Sequence, residues 1–289
     1  MAAWGGVSKK RVIITGATNG IGLAAAVELA RRGAQLTLVA RSERRAADAV
    51  ARVRATSSTA VDVLMADLGS QASIRRLAGE ILSRYPTIQL LVNNAGAIYA
   101  RRQLSEDGVE LTWAVNHLAP FLLTTLLLDR LKTSAPARII TTSSDAHGGA
   151  HIPFDDMSAQ RSWGGMGFTR YGETKLANIL FTVELARRLE GTGVTANAFH
   201  PGVVATGFNR NNGPMMRIGM ALIRPFARSV GKGAQTLVWL ADSEEAGALN
   251  GRYVYDMRQV TPSTAAQDRE TARRLWEISE AQTNATAVP

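Results

Sequence analysis

Short runs of β-branched and aliphatic residues alternate along this chain with longer segments in which apolar positions recur every three or four residues. Arg11 to Thr15 reads as a first strand stopping at a glycine cluster, and Ile21 to Arg32 then has helical periodicity closed by Gly33. Leu36 to Val39 predicts a second strand, with Ser42 placed to cap a helix running to about Arg54. Val61 to Met65 predicts a third strand, and Ser70 opens a helix to about Tyr85 with Pro86 beyond its end. Ile88 to Val92 predicts a fourth strand, Gly108 to Leu131 a long helix, and Arg138 to Ser143 a fifth strand. After an irregular stretch rich in Gly and Asp, Tyr171 to Leu189 predicts a helix and Val194 to Phe199 a sixth strand. This alternation argues an α/β fold: a doubly wound parallel sheet with helices on both faces.

The texture then changes. Gly207 to Lys232 mixes glycines, two prolines, methionines and aliphatics with Arg217, Arg224 and Arg228, and is expected to form a flap closing over a substrate. A helix from Gly233 to Leu240, a strand near Arg252 to Tyr255 and an amphipathic helix from about Ser263 to Ala281 follow. No repeat, low-complexity tract or linker divides the chain, so residues 1–289 are read as a single domain.

Composition narrows the chemistry. With 46% apolar residues the chain is an ordinary globular one, and the absence of cysteine removes disulfides, thiolate nucleophiles and cysteine-ligated zinc. Metal is not expected. The first eleven residues lack the order of a secretory signal, and the longest apolar run, Leu118 to Leu128, is shorter than the roughly 20 residues of a membrane-spanning helix. A cytoplasmic location is expected, with peripheral membrane contact through the 207–232 flap as an alternative. The net charge of +9 comes mostly from arginines scattered over predicted helices, without a nucleic-acid module, so no nucleic-acid partner is expected.

Two segments carry candidate chemistry. Gly16, Thr18, Asn19, Gly20, Ile21 and Gly22 lie between the first strand and the first helix, where missing side chains and free helix N–H groups can hold a diphosphate. At the end of the second strand stands Arg41 in place of an acidic residue, and a guanidinium there can grip a 2′-phosphate, which favours NADP(H) over NAD(H). Tyr171 and Lys175 are four apart on a predicted helix and share a face, so the ammonium is expected to lower the phenol's pKa. Such a pair can give a proton to a carbonyl oxygen or take one from an alcohol. Ser143-Ser144 ends the fifth strand, on the edge where open α/β sheets place ligands.

Thr15 to Gly22, Asn93-Asn94-Ala95-Gly96, Asn116, Ser143-Ser144, Tyr171-x-x-x-Lys175 and His200-Pro201-Gly202 stand in the order of the short-chain dehydrogenase/reductase family, which the chain resembles to about residue 260. Lys175 to Phe181, His200 to Val204, Arg273 to Trp276 and the long insert between Ser144 and Tyr171 resemble its retinol dehydrogenase-like branch. The resemblance implies a three-layer Rossmann-type fold and a hydride transfer between NADP(H) and a hydrophobic aldehyde, ketone or alcohol. It implies Tyr171 as general acid/base, Lys175 as its partner and ribose ligand, Ser144 on the substrate oxygen, and Asn116 positioning a relay water. It further implies Asp67 and Leu68 beside the adenine, Asn94, Ala95 and Gly96 along the cofactor, and Pro201, Gly202, Val203 and Thr206 near the nicotinamide. A homo-oligomer is expected, paired through the helices around Asn116 and Tyr171, a role the Leu118 to Leu128 run would suit. His147 and His151 are read as loop residues of the insert. Two alternatives stand beside this reading. One is a catalytically silent NADP-binding sensor or scaffold; the other is a protochlorophyllide-type double-bond reductase, disfavoured because that type relies on a cysteine.

Overall fold

Six strands form where the aliphatic runs predict them in the computed structural model, which describes residues 4–161, 163–204 and 227–285. They are β1 (Arg11–Thr15), β2 (Gln35–Ala40), β3 (Val61–Met65), β4 (Leu90–Asn93), β5 (Ala137–Thr142) and β6 (Val194–Phe199). With β7 (Tyr253–Tyr255) and β8 (Arg258–Gln259) they make one sheet among the described residues, in the order β3-β2-β1-β4-β5-β6-β7-β8. Every pairing is parallel except β7 with β8. The strand order reverses between β1 and β4, which opens a crevice at the carboxyl ends of those strands.

Alternate residues of each strand face opposite layers, as the two-residue period of a strand requires. Val12, Ile14, Leu36, Leu38, Leu90 and Val92 join a core with α1 (Gly20–Arg31), α2 (Glu43–Arg54) and a later helix, Val230–Asp242. Ile13, Val39, Leu64, Leu91, Ile139 and Ala196 join the opposite core, with α3 (Gln71–Arg84), α4 (Leu111–Thr133) and α5 (Phe168–Arg188). The helix Val230–Asp242 is α6, and α7 (Arg269–Thr283) packs outside α5. The result is a three-layer, Rossmann-type α/β domain.

Several boundaries differ from the expectation for local reasons. Ser70 caps α3 through the Ser73 N–H, as predicted, whereas Ser42 stands before α2 without a side-chain cap bond. Helix α5 starts three residues before Tyr171 because Gly167, at φ +84°, turns the chain there; a Cβ at Gly167 would lie 2.1 Å from the Tyr99 carbonyl oxygen. Ser229 caps α6 at Val230, so Val230 to Lys232 belong to a helix and not to the expected flap. Residues 207–226 of that flap lie outside the described residues. Helix α4 is long and apolar enough to cross a membrane, yet most of it is buried inside the protein. Of the Leu118 to Leu128 run, Leu118, Phe121, Leu122, Leu123, Leu127 and Leu128 are buried in the protein's own core, while Thr125 and Leu126 are half-buried.

Candidate active site

All the described candidate residues except Asn116, Tyr171 and Lys175 follow the carboxyl end of a strand, and they share one edge of the sheet. The glycine loop after β1 is tied to the loop after β4. The Thr15 hydroxyl accepts the N–H groups of Asn94 and Ala95, both at 3.0 Å, and the Asn94 amide donates to the carbonyls of Thr15 (3.0 Å) and Gly16 (3.2 Å). This closeness explains two glycines. A Cβ at Gly16, whose φ is +66°, would lie 2.7 Å from Ala95 Cα, and one at Gly22 would lie 2.4 Å from Asn94 Nδ2. Both are dictated by the protein packing on itself, a reason the sequence does not show. At the N-terminus of α1, Asn19 is exposed and Thr18, Gly20 and Ile21 are half-buried. Asn19 makes no side-chain cap bond and the first turn holds no acidic residue, so that turn keeps its positive end for an anion.

Arg41 follows β2 directly and is exposed. Burial pushes the phenol of Tyr99 up, and the neighbouring Arg41 draws it back down, with Asp67 nearby. Asp67 also accepts the Gly69 N–H at 2.9 Å, and Leu68 is half-buried beside it. Tyr99 is a site residue that sequence reasoning missed; its only signal is a place five residues beyond Asn94.

Ser143 and Ser144 part company. Ser143 is buried and its hydroxyl donates to the Lys175 carbonyl at 2.7 Å, a structural bond. Ser144 is half-buried, accepts the Ala146 N–H at 3.2 Å, and stands beside Tyr171, whose phenol it draws down. Lys175 Nζ lies 5.3 Å from the Tyr171 ring centre and donates to the Thr142 carbonyl at 3.1 Å. Burial pushes Tyr171 up to about 12, partly offset by Ser144, and pushes Lys175 down to about 8. The expected lowering of the phenol by the lysine is not seen: burial dominates, and the phenol stands above its ordinary value.

Asn116 lies in a π turn, Ala114–Leu118, within α4. Its Oδ1 accepts the Ala97 N–H at 2.7 Å, and its Nδ2 donates to the Ala97 carbonyl (2.8 Å) and the Thr174 hydroxyl (3.1 Å). The amide thus bridges the loop after β4 to the helix carrying Tyr171 and Lys175. After β6, Pro201 and Gly202 are half-buried, and Val203 is 59% exposed. Ala95 and Gly96 continue the turn from Asn94, while Thr206 lies outside the described residues.

Beneath the site, Arg170 is buried with two carboxylates. It donates to Glu110 and Glu173, each at 2.9 Å, and to the Met157 carbonyl, with its guanidinium over the Trp113 ring. Burial pushes the Glu173 carboxyl up and Arg170 pulls it down, with burial winning. His147 proves to be buried and bonded, not a free loop residue, whereas His151 is exposed.

Gly172, between the catalytic candidates and the serine turn, gives a direct test. A Cβ there would lie 2.7 Å from the Ala146 carbonyl oxygen. Gly172→Ala should push the Ser144 turn away and lower kcat by about 100-fold with dinucleotide affinity kept, as expected for a misplacement near 1 Å. Steady-state kinetics beside a binding titration checks it; unchanged kcat would show that the turn is not held by this contact.

Comparison with known proteins places this arrangement. Residues 10–217 match the short chain dehydrogenase family. The chain is 43% identical over 271 residues to retinol dehydrogenase 12 of Mus musculus, covering 93% of this chain and 85% of the relative. It is 39% identical over 285 residues to DnrU of Streptomyces sp. (strain C5), a proposed daunorubicin C-13 ketoreductase, covering 98% of this chain and 96% of that one. Among solved structures it is similar to the Pseudomonas aeruginosa RhlG/NADP active-site complex, at 25% identity and a TM-score of 0.70, covering 88% of this chain and 97% of the other.

Proposed function

Because the chain belongs to the short-chain dehydrogenase family, and so is a retinol dehydrogenase-like oxidoreductase acting on CH–OH or C=O groups with a nicotinamide cofactor, we propose that it uses NADP(H) to interconvert a hydrophobic aldehyde or ketone and its alcohol. The observation that carries this reading is the meeting of Ser144 and Tyr171, with Lys175 one turn further along α5, on the sheet edge that also holds the glycine loop. The residues present fit a dinucleotide: the first turn of α1 presents its positive end, and Arg41 offers a cation at the end of β2. When bound, the nicotinamide supplies or takes the hydride.

The chain supplies the proton and the orientation. Tyr171 is protonated at neutral pH, as a donor to a developing alkoxide must be, and Ser144 stands beside it to hold the same oxygen. Lys175 is placed to supply positive charge behind the phenol, and Asn116 holds the loop and helix together around it. Apolar side chains are exposed near this constellation: Phe168 (46%) lies one turn before Tyr171, Met166 (49%) precedes it, and Val203 follows β6. Exposed apolar groups grouped near a polar centre suit an apolar substrate with one carbonyl. The name of DnrU likewise points to a ketone, at C-13 of daunorubicin.

Arg41→Ala tests the cofactor. A charge-assisted bond to a 2′-phosphate is worth about 1.5–3 kcal/mol, so the variant should bind NADPH about 10–150-fold more weakly and NADH as before. Fluorescence titration with both dinucleotides reads this. Equal loss for both would remove Arg41 from the 2′-phosphate. Consumption of NADPH with a panel of hydrophobic aldehydes and ketones then tests the activity, and no turnover of any member would sink it.

A further inference from the structure

His147 lies in the turn Asp145–Gly149, three residues after Ser144, and is 4% exposed. Its Nδ1 is 2.8 Å from the Ser144 carbonyl oxygen, and its Nε2 is 3.1 Å from the Ser263 backbone nitrogen. A carbonyl only accepts and a backbone N–H only donates. The ring is therefore neutral, with its hydrogen on Nδ1. The same carbonyl accepts the His147 N–H at 3.2 Å, so the Ser144 peptide is held twice by one residue. The Ser144 oxygen meanwhile accepts the Ala146 N–H, which leaves its own hydrogen to give to Tyr171 or to a substrate oxygen.

The imidazole is itself fixed by rings. Tyr253 meets it edge-on at 4.9 Å and 72°, with the phenol oxygen 3.4 Å from Nδ1. The other side of Tyr253 stacks on His200 (5.5 Å, 19°), which stacks on Tyr255 (4.0 Å, 13°). His200 Nδ1 accepts the Gly202 N–H at 3.3 Å, so the stack runs from the serine turn to the loop of Pro201 to Val203. Two residues from late in the chain, Ser263 and Tyr253, thereby anchor the turn of Ser144.

We infer that His147 is a positioning residue of the reaction: through its neutral Nδ1–H tautomer it holds the Ser144 turn against the C-terminal segment at Ser263, so that the serine hydroxyl meets Tyr171. The inference rests on the functional reading of Ser144 given above. It gives His147 no contact with substrate and no proton to transfer. Asn places an amide nitrogen close to the Nδ1 position, whereas Phe keeps the ring and loses both bonds.

The test combines a tautomer measurement with a mutant cycle. Ring-nitrogen NMR of the wild-type protein, which has four histidines, should show His147 with hydrogen on Nδ1 and a bonded, unprotonated Nε2. His147→Phe should lower kcat by about 100-fold with dinucleotide affinity unchanged, His147→Asn should recover part of the loss, and His147→Phe should add nothing to Ser144→Ala. Non-additivity of this kind is the mark of one residue acting through another. An Nε2–H or doubly protonated ring, unchanged kcat in His147→Phe, or full additivity with Ser144→Ala would overturn the inference. If His147→Phe does not fold, His147→Asn against Ser144→Ala gives the same cycle. Failure of the functional reading shows separately, as absence of turnover in the wild type, while the tautomer still decides whether the turn is held as described.

Discussion

Tyr171→Phe is expected to lower kcat by about 1,000-fold while leaving dinucleotide binding nearly unchanged. Phe fills the same space on α5, so packing is kept. What is lost is the hydroxyl that stands beside Ser144 and carries the transferable proton. General acid/base groups contribute about 10²–10⁴-fold, and the phenol, held up to about 12 by burial, carries its proton at neutral pH. The sign of the pH dependence follows. In the reduction direction the phenol stays protonated and Lys175 is charged below about 8, so the rate should fall as pH rises through about 8, where the ammonium is lost. Oxidation needs the phenolate and should speed up with pH. Single-turnover consumption of NADPH with a carbonyl substrate, and its formation from NADP⁺ with an alcohol, measure the two directions across pH, and a Tyr171→Phe variant retaining a tenth of the wild-type rate would dismiss Tyr171 as the acid. Turnover abolished by Tyr171→Phe would exclude the silent-scaffold alternative.

Arg170→Met should cost about 3–5 kcal/mol of stability, the usual loss when one partner of a buried ionic cluster is removed. Arg170 is 1% exposed, Glu110 0% and Glu173 2%, so the change strands two carboxylates beyond the reach of water. Glu110 keeps the N–H groups of Thr112 (2.8 Å) and Trp113 (2.9 Å) as partners, whereas Glu173 loses the pull that opposes its burial. Its folded pKa, already raised, rises further. A carboxyl raised in the folded state is best tolerated below its unfolded pKa, and stability is lost as pH climbs past it. The gap between wild type and variant should therefore be narrow in acid and widen through the carboxylate range. Urea unfolding at several pH values tests this; a small loss independent of pH would mean that the cluster is relaxed by water. Since Arg170 immediately precedes Tyr171, a destabilised first turn of α5 should lower kcat as well.

Much of the scaffold was legible because its signals are local. The alternation of aliphatic strands with helical periodicity depends only on which faces must be buried, and the first six strands fall within about two residues of their expected ends. The pair Tyr171 and Lys175 was legible for the same reason, since residues four apart on a helix share a face whatever surrounds them. Where burial by distant segments decides, the sequence was silent or misleading. The Leu118 to Leu128 run reads equally well as core or as subunit face, and only packing against α3, α5 and the sheet assigns it to the core.

The order of chemistry along the chain, a glycine loop, an arginine after the second strand, a serine pair, then tyrosine and lysine, was determined by sequence alone, because each residue type is needed for its own reactivity. Which serine meets the phenol was decided by tertiary structure, as Ser143 turns inward to Lys175 and Ser144 outward to Tyr171. So were the reasons for Gly16 and Gly22, the bridge from Asn116, the nearness of Tyr99 to Arg41, the Arg170 cluster and the anchoring of His147 at Ser263. Asn116 and Ala97, Arg170 and Glu110, and His147 and Ser263 stand 19, 60 and 116 positions apart. Periodicity reports the face a residue occupies, but hydrogen-bond partners and proton affinities depend on what the fold brings to that face and how much water it removes.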